Sequence, residues 1–177
     1  MKFTICNLRN VKVPNYGTAG SAGIDFYVPE NLTYDDLKWS PSESGSFPDT
    51  VSRTSENDGI VTAIHLYPGR GVVIPSGIKV KIPNGYVLVF LNKSGVSLRK
   101  SVVQGAQVID SDYTGEIHLH LINTGNAKTT ISAGEKISQA LLLPVEHCEL
   151  VQVKSEKELF ADFETERKDG GFGSTGV

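Results

Sequence analysis

Ile78-Lys79-Val80-Lys81-Ile82-Pro83-Asn84-Gly85-Tyr86-Val87-Leu88-Val89-Phe90-Leu91 reads as strand, turn, strand. Ile78, Val80 and Ile82 alternate with Lys79 and Lys81, as in a strand with one face in a core and one in water. Pro83-Asn84-Gly85 breaks the run as a turn. Tyr86 to Leu91 is apolar on both faces, which predicts a central strand. The pattern continues outward. Upstream, Ile60, Ala63, Ile64 and Leu66 lead to Pro68-Gly69, and Val72-Val73-Ile74 lead to Pro75-Ser76-Gly77. Downstream, Ile117, Leu119 and Leu121 alternate with His118 and His120, Asn123–Asn126 turns the chain, and Ile131, Ile137 and Leu141-Leu142-Leu143 supply the last core strands. Residues 2–13 alternate up to Pro14 as a first strand, Ile24–Val28 is a short one, and a short helix is expected at Val96–Val103. Short strands at regular spacing predict an all-β fold, a compact β-sandwich or distorted jelly-roll barrel with one short helix and a flexible Gly-rich C-terminal tail.

Residues 31–59 differ in composition. They are rich in Ser, Asp and Glu, with Pro41 and Pro48 and little apolar periodicity, Trp39 and Phe47 being the exceptions. This predicts a long surface insertion, partly ordered at best, or a docking loop for a protein partner. The expected organisation is a β domain over 1–162 carrying that insertion, then a flexible lid over 163–177.

A chain of 177 residues is long enough for one domain with a real core. Its formal net charge of −3 leaves no basic surplus to hold a nucleic-acid backbone, although a single nucleotide remains admissible. Cys6 and Cys148 have neither a CxxC nor a Cys/His metal spacing, so both are expected to be reduced thiols. The first residues are too short and too broken for a signal-peptide core, and no apolar run reaches the ~20 residues of a membrane span. The expectation is a soluble cytoplasmic protein, or one in the host cytoplasm if viral, with no nucleic-acid or membrane partner.

Gln104-Gly105-Ala106-Gln107-Val108-Ile109-Asp110-Ser111-Asp112-Tyr113-Thr114-Gly115-Glu116 lies between two alternating runs, so it is expected to be a β-hairpin with Asp110 and Tyr113 at its tip. Asp110 suits either a turn cap or a general base fixed beside a space. Asn92-Lys93-Ser94-Gly95-Val96-Ser97 follows the central strand; it is either an ordinary helix start with an N-cap Ser or a phosphate-binding turn. Gly17–Gly23 is a small-residue run before Asp25, suited to close approach by a backbone or ligand. Gly134–Gln139 places Gln139 between strands. The tail carries Arg167, Phe172, Gly173, Ser174 and Thr175. No GxxxxGK[ST] spacing is present.

In order, GIDFY, NKSGVS, QVIDSDYTGE, GEKISQ and RKDGGFGSTG resemble the five motifs of the trimeric dUTP pyrophosphatase (dUTPase) family, from Ala22 to the C-terminus without the insertion. The resemblance implies hydrolysis of dUTP to dUMP and pyrophosphate, with Mg²⁺ as cofactor, in a homotrimer whose active sites are shared between subunits. Such an activity keeps uracil out of DNA and supplies dUMP for thymidylate synthesis. Asp110 matches the aspartate that activates the attacking water, and Tyr113 the aromatic beneath the deoxyribose. Gln104, Gly105, Gln107 and Val108 fall in the hairpin whose main chain meets the uracil edge. Lys93, Ser94, Gly95 and Gln139 match phosphate contacts. Phe172 matches the ring over uracil, and Arg167, Gly173, Ser174 and Thr175 the tail's contacts to nucleotide. Asp25 matches the first-motif aspartate, associated with hydrated magnesium on the substrate phosphates.

Several positions depart from the family pattern. Lys93 stands where Arg is usual, which keeps the charge without the bidentate fork. Gln107 stands where Gly is usual, and Lys168-Asp169 replace small residues. The long insertion resembles viral and phage members. Two rival functions follow: a dUTP-sensing regulator acting through 31–59, and a dCTP deaminase-type relative. The latter needs a glutamate on the strand after the hairpin, which here reads Ile117-His118-Leu119-His120-Leu121.

Overall fold

The computed structural model describes residues 1–40, 50–53, 59–166 and 168–170. In chain order these form β1 (Thr4–Asn7), β2 (Asn15–Tyr16), β3 (Ile24–Tyr27), a 3-10 turn at Tyr34–Asp36, β4 (Lys38–Ser40), β5 (Val51–Arg53), β6 (Val61–Leu66), β7 (Gly71–Pro75), β8 (Ile78–Lys81) and β9 (Tyr86–Leu91). Then follow α1 (Ser94–Lys100), β10 (Val102–Gln104), β11 (Val108–Ile109), β12 (His118–Asn123), β13 (Thr129–Ser132), β14 (Lys136–Pro144) and α2 (Glu156–Leu159). The chain divides into one unit over Met1–Val145 and a second over Glu146–Val177. The second unit holds α2, whose N-cap Ser155 accepts a hydrogen bond from the Glu158 amide at 3.2 Å.

The first unit is all-β, a jelly-roll-like set of short sheets. Five strands run β11-β9-β14-β3-β2 and four run β10-β12-β7-β4; β13-β6-β5 and β1-β8 complete the set. Among the described residues the strands pair antiparallel throughout. β9 lies inside its sheet, between β11 and β14, as its two-sided apolarity predicts. Phe90 on β9 meets Phe26 on β3 edge-on, ring centroids 4.8 Å apart. Leu119 and Leu121 on β12, Ile74 on β7, and Ile64 and Ile131 on the three-stranded sheet close the same core. Each such side chain contributes roughly 1.5–3 kcal/mol by leaving water.

Four local expectations change. The first strand covers only Thr4–Asn7 of residues 2–13. The helix starts two residues early and ends at Lys100, where Ser101 adopts a left-handed conformation (φ 53°) and the chain turns into β10. The predicted hairpin is split between sheets: β10 pairs with β12, while β11 leaves to pair with β9. Finally, the flanks of 31–59 are not surface insertion. Leu32 and Leu37 are buried, Trp39 pairs with Val72 across β4–β7, and Val51 pairs with Ile64 across β5–β6. Their polar neighbours masked the contribution of these few apolar residues. Residues 41–49 and 54–58, including Phe47, lie outside the described residues.

Candidate active site

Asp25, Gln139 and Leu91 share one transverse row of the five-stranded sheet, because β14 pairs Gln139 with both. Their end of the sheet opens into a cleft of about 480 Å³, lined also by Gly17, Gly23, Lys93 and Lys136. Asp25 is 4 % exposed. Its Oδ1 accepts from Lys93 Nζ at 2.5 Å, and its Oδ2 pairs with Lys136 Nζ at 2.9 Å. Burial by itself raises the Asp25 pKa, but the hydrogen bonds and charges of Lys93 and Lys136 outweigh it, so the carboxyl titrates below its ordinary value. The same bond to Asp25 raises the pKa of Lys136. Two cations on one carboxylate leave a net positive charge at the cleft wall.

The small-residue run has a specific use here. A Cβ at Gly23 would lie 2.5 Å from Gln139 Oε1, so any larger residue there would displace the glutamine side chain from its place in the cleft. Gln139 Nε2 donates to the Asn92 carbonyl at 2.8 Å, and the Asn92 side chain accepts from the Gln104 amide at 2.7 Å. Asn92 therefore ties β14 and β10 to the start of α1. Lys93 is the N-cap residue of α1, and no side chain caps the helix. Ser94 is thus the first helical residue rather than an N-cap, which removes the ordinary reading of that serine. The Arg99 guanidinium lies over Gly95, where a Cβ would be 2.9 Å from Nη2.

Asp110 and Tyr113 stand at the other end of β9. Ile109 pairs with Leu88, so Asp110 follows beside position 87, while the Lys93-Ser94-Gly95 turn begins beyond position 91. At about 3.3 Å per residue, the four residues from position 87 to Leu91 alone put about 13 Å of strand between Asp110 and the start of that turn. Asp110 is exposed, and its carbonyl accepts from the Tyr113 amide at 3.2 Å, closing a turn. Tyr113 is 42 % exposed, and its hydroxyl donates to the Glu116 carbonyl at 2.9 Å. Glu116 anchors the loop: Oε1 accepts from the Gly77 amide at 2.7 Å and pairs with Arg9 Nε at 2.9 Å. Val108 is also exposed.

The dUTPase family model matches residues 60–176. This chain belongs to the dUTPase family. The deoxyuridine 5'-triphosphate nucleotidohydrolase of Finegoldia magna is 33 % identical over 99 % of both chains. That of Ehrlichia canis is 32 % identical, over 100 % of this chain and 95 % of its own. A variant dUTPase of Staphylococcus bacteriophage 80alpha with dUpNHpp superimposes with a TM-score of 0.72 at 22 % identity, covering 99 % of each chain. A dUTPase from phage phi11 of S. aureus, described with a coordinated structural Mg(II) ion, gives 0.63 at 20 % identity, over 89 % of this chain and 99 % of its own. These two structural likenesses bear on the fold.

The dUTPase motifs are thus divided in a single chain. Asp25, Lys93 and Gln139 come together; Ser94 and Gly95 adjoin them; Asp110 and Tyr113 do not. Gln104 and Gly105 sit near the first group through Asn92, and Gln107 and Val108 run along β9 towards the second. Arg167, Phe172, Gly173, Ser174 and Thr175 lie outside the described residues. Among the described residues no three His, Cys, Asp or Glu side chains gather as a metal site. Both Asp25 oxygens are taken by ammonium groups, so Asp25 fits an outer partner to a magnesium ion held by phosphates rather than a direct ligand. No described helix is long and apolar enough to cross a membrane.

Lys136, Asn92, Arg99 and His120 were missed by motif reasoning. Lys136 stands inside GEKISQ, and it reaches Asp25 through a register shift between Lys136 and Ser138 in the β14–β3 pairing, which nothing in the sequence announces. His120, which alternates with the apolar residues of β12, is half-buried, with its Nε2 enclosed.

Proposed function

We propose that this dUTPase hydrolyses dUTP to dUMP and pyrophosphate, in cytoplasm, as a homotrimer whose sites combine residues of different subunits. The observation that supports the shared site is that Asp110 and the Lys93-Ser94-Gly95 turn lie at opposite ends of β9, with about 13 Å of strand between them. A base acting on the α-phosphorus and a turn holding the same triphosphate must lie within a few ångströms of one another. One chain cannot satisfy that; a second copy presenting its Asp110 end to the first copy's cleft can.

In this reading Asp110 takes a proton from water, and the oxygen attacks the α-phosphorus in line with the departing pyrophosphate. The exposure of its carboxylate suits contact with solvent and substrate. Lys93, Ser94, Gly95 and Gln139 hold phosphate oxygens, and the positive cleft wall favours them. Lys93 divides its charge between Asp25 and the substrate. Tyr113, fixed by its bond to the Glu116 carbonyl, presents its ring to the sugar, where a 2′-hydroxyl would collide. The main chain of Gln104 to Val108 meets the uracil edge, so that thymine's methyl and cytosine's amino group are rejected. Arg167, Phe172, Gly173, Ser174 and Thr175 complete the contacts from the tail. Mg²⁺ belongs here as an ion on the triphosphate with Asp25 as outer partner, supplying charge neutralisation.

The test is a panel of dUTP, dCTP, dTTP and UTP with Mg²⁺ and product identification. Turnover of dUTP alone to dUMP and pyrophosphate is expected. Ammonia release from dCTP, or equal turnover of UTP, would overturn the reading.

A further inference from the structure

The turn at 105–107 rests on one side chain of β12. The Gly105 amide donates to the His120 carbonyl at 2.7 Å, and the Ala106 amide donates to His120 Nδ1 at 3.2 Å. A backbone N–H can only donate, so Nδ1 is the acceptor in this contact. The contact is close: a Cβ at Gly105 would collide with the imidazole, which makes residue 105 a glycine by steric need. On the other side, a Cβ at Gly71 of β7 would lie 3.2 Å from Nε2. The imidazole is thus packed between two glycines. Its Nε2 is buried and finds no partner among the described residues, so the bond to Ala106 is the polar contact that orients the ring.

We infer that His120 is a specificity-determining positioning residue: its Nδ1 holds the Ala106 amide, and through it the 105–107 main chain, in the pose that discriminates the pyrimidine edge. This rests on the reading that the turn meets the base. Ala106 is exposed while its amide is tied inward. The neighbouring carbonyl of Gln107 is already committed to the Phe90 amide at 2.8 Å. The turn is therefore held at both ends, by β12 through His120 and by β9 through Phe90. Loss of the imidazole leaves only the main-chain bond of Gly105 on the β12 side, so that Ala106 can shift and the turn adapt to the wrong base. His120 does not touch the reacting atoms, so its loss should act on base selection and KM rather than on kcat.

The test compares wild type, His120→Leu and His120→Asn on the four nucleotides. Asn places an acceptor oxygen where Nδ1 lies; Leu fills space without one. His120→Leu is expected to raise KM for dUTP about tenfold, leave kcat within about threefold, and lose about tenfold in dUTP over dCTP preference, and His120→Asn to restore most of both. Oligomeric state and melting temperature, measured alongside, should match wild type in both variants. If His120→Leu folds and discriminates as wild type does, or if Asn fails to rescue where Leu fails, the inference is wrong. A wild type without preference for dUTP would instead overturn the reading of the turn itself.

Discussion

Asp25 shows how one residue can be structural and electrostatic at once. Its carboxylate joins β3 to Lys93 at the start of α1 and to Lys136 on β14. Asp25→Asn removes that charge and leaves two ammonium groups facing each other. The expected cost is about 2 kcal/mol of stability, read as a lower melting temperature. The pH dependence has a definite sign. The native carboxyl titrates below its unfolded value, so its contribution is fully present above the unfolded value and fades as pH falls through the depressed native one. Wild type and Asp25→Asn should therefore converge in melting temperature only in that acid range. Asp110 is the opposite case, exposed and outside any ion pair among the described contacts. Asp110→Asn should keep the fold and nucleotide affinity while lowering kcat by about 10²–10⁴, measured by pyrophosphate release. Undiminished turnover would remove Asp110 as the base.

At the scale of elements, the strands were legible because their side chains alternate or run apolar, as in Ile78–Lys81 and Tyr86–Leu91. The motifs on them were legible as well. What the sequence did not show was pairing between distant strands. Nothing near Lys136 announces that β14 will bring it to Asp25, and nothing near Val108 says that β11 will leave its hairpin for another sheet. Leu32 and Leu37 were hidden for a related reason: two buried leucines in a polar stretch have no period to detect. Gly23 belongs to this scale too. Gly23→Ala should push Gln139 off the Asn92 carbonyl and raise KM for dUTP about tenfold, with little change in kcat. Steady-state kinetics beside a thermal melt would separate that outcome from general unfolding. An unchanged KM would mean that Gln139 does not hold the substrate.

For the whole molecule, the central claim is that a complete site takes Asp110 and the Lys93–Gln139 cleft from different copies of the chain. The most direct measurement is complementation. Asp110→Asn and Lys93→Ala, each of low activity alone, are unfolded together, refolded as an equal mixture, and assayed for dUTP hydrolysis. If subunits assort at random and each site draws on two of them, about a quarter of the sites hold both intact residues, so activity should rise to roughly that fraction of wild type. A mixture no more active than the mean of its two components would place both residues in one chain's site and contradict the account.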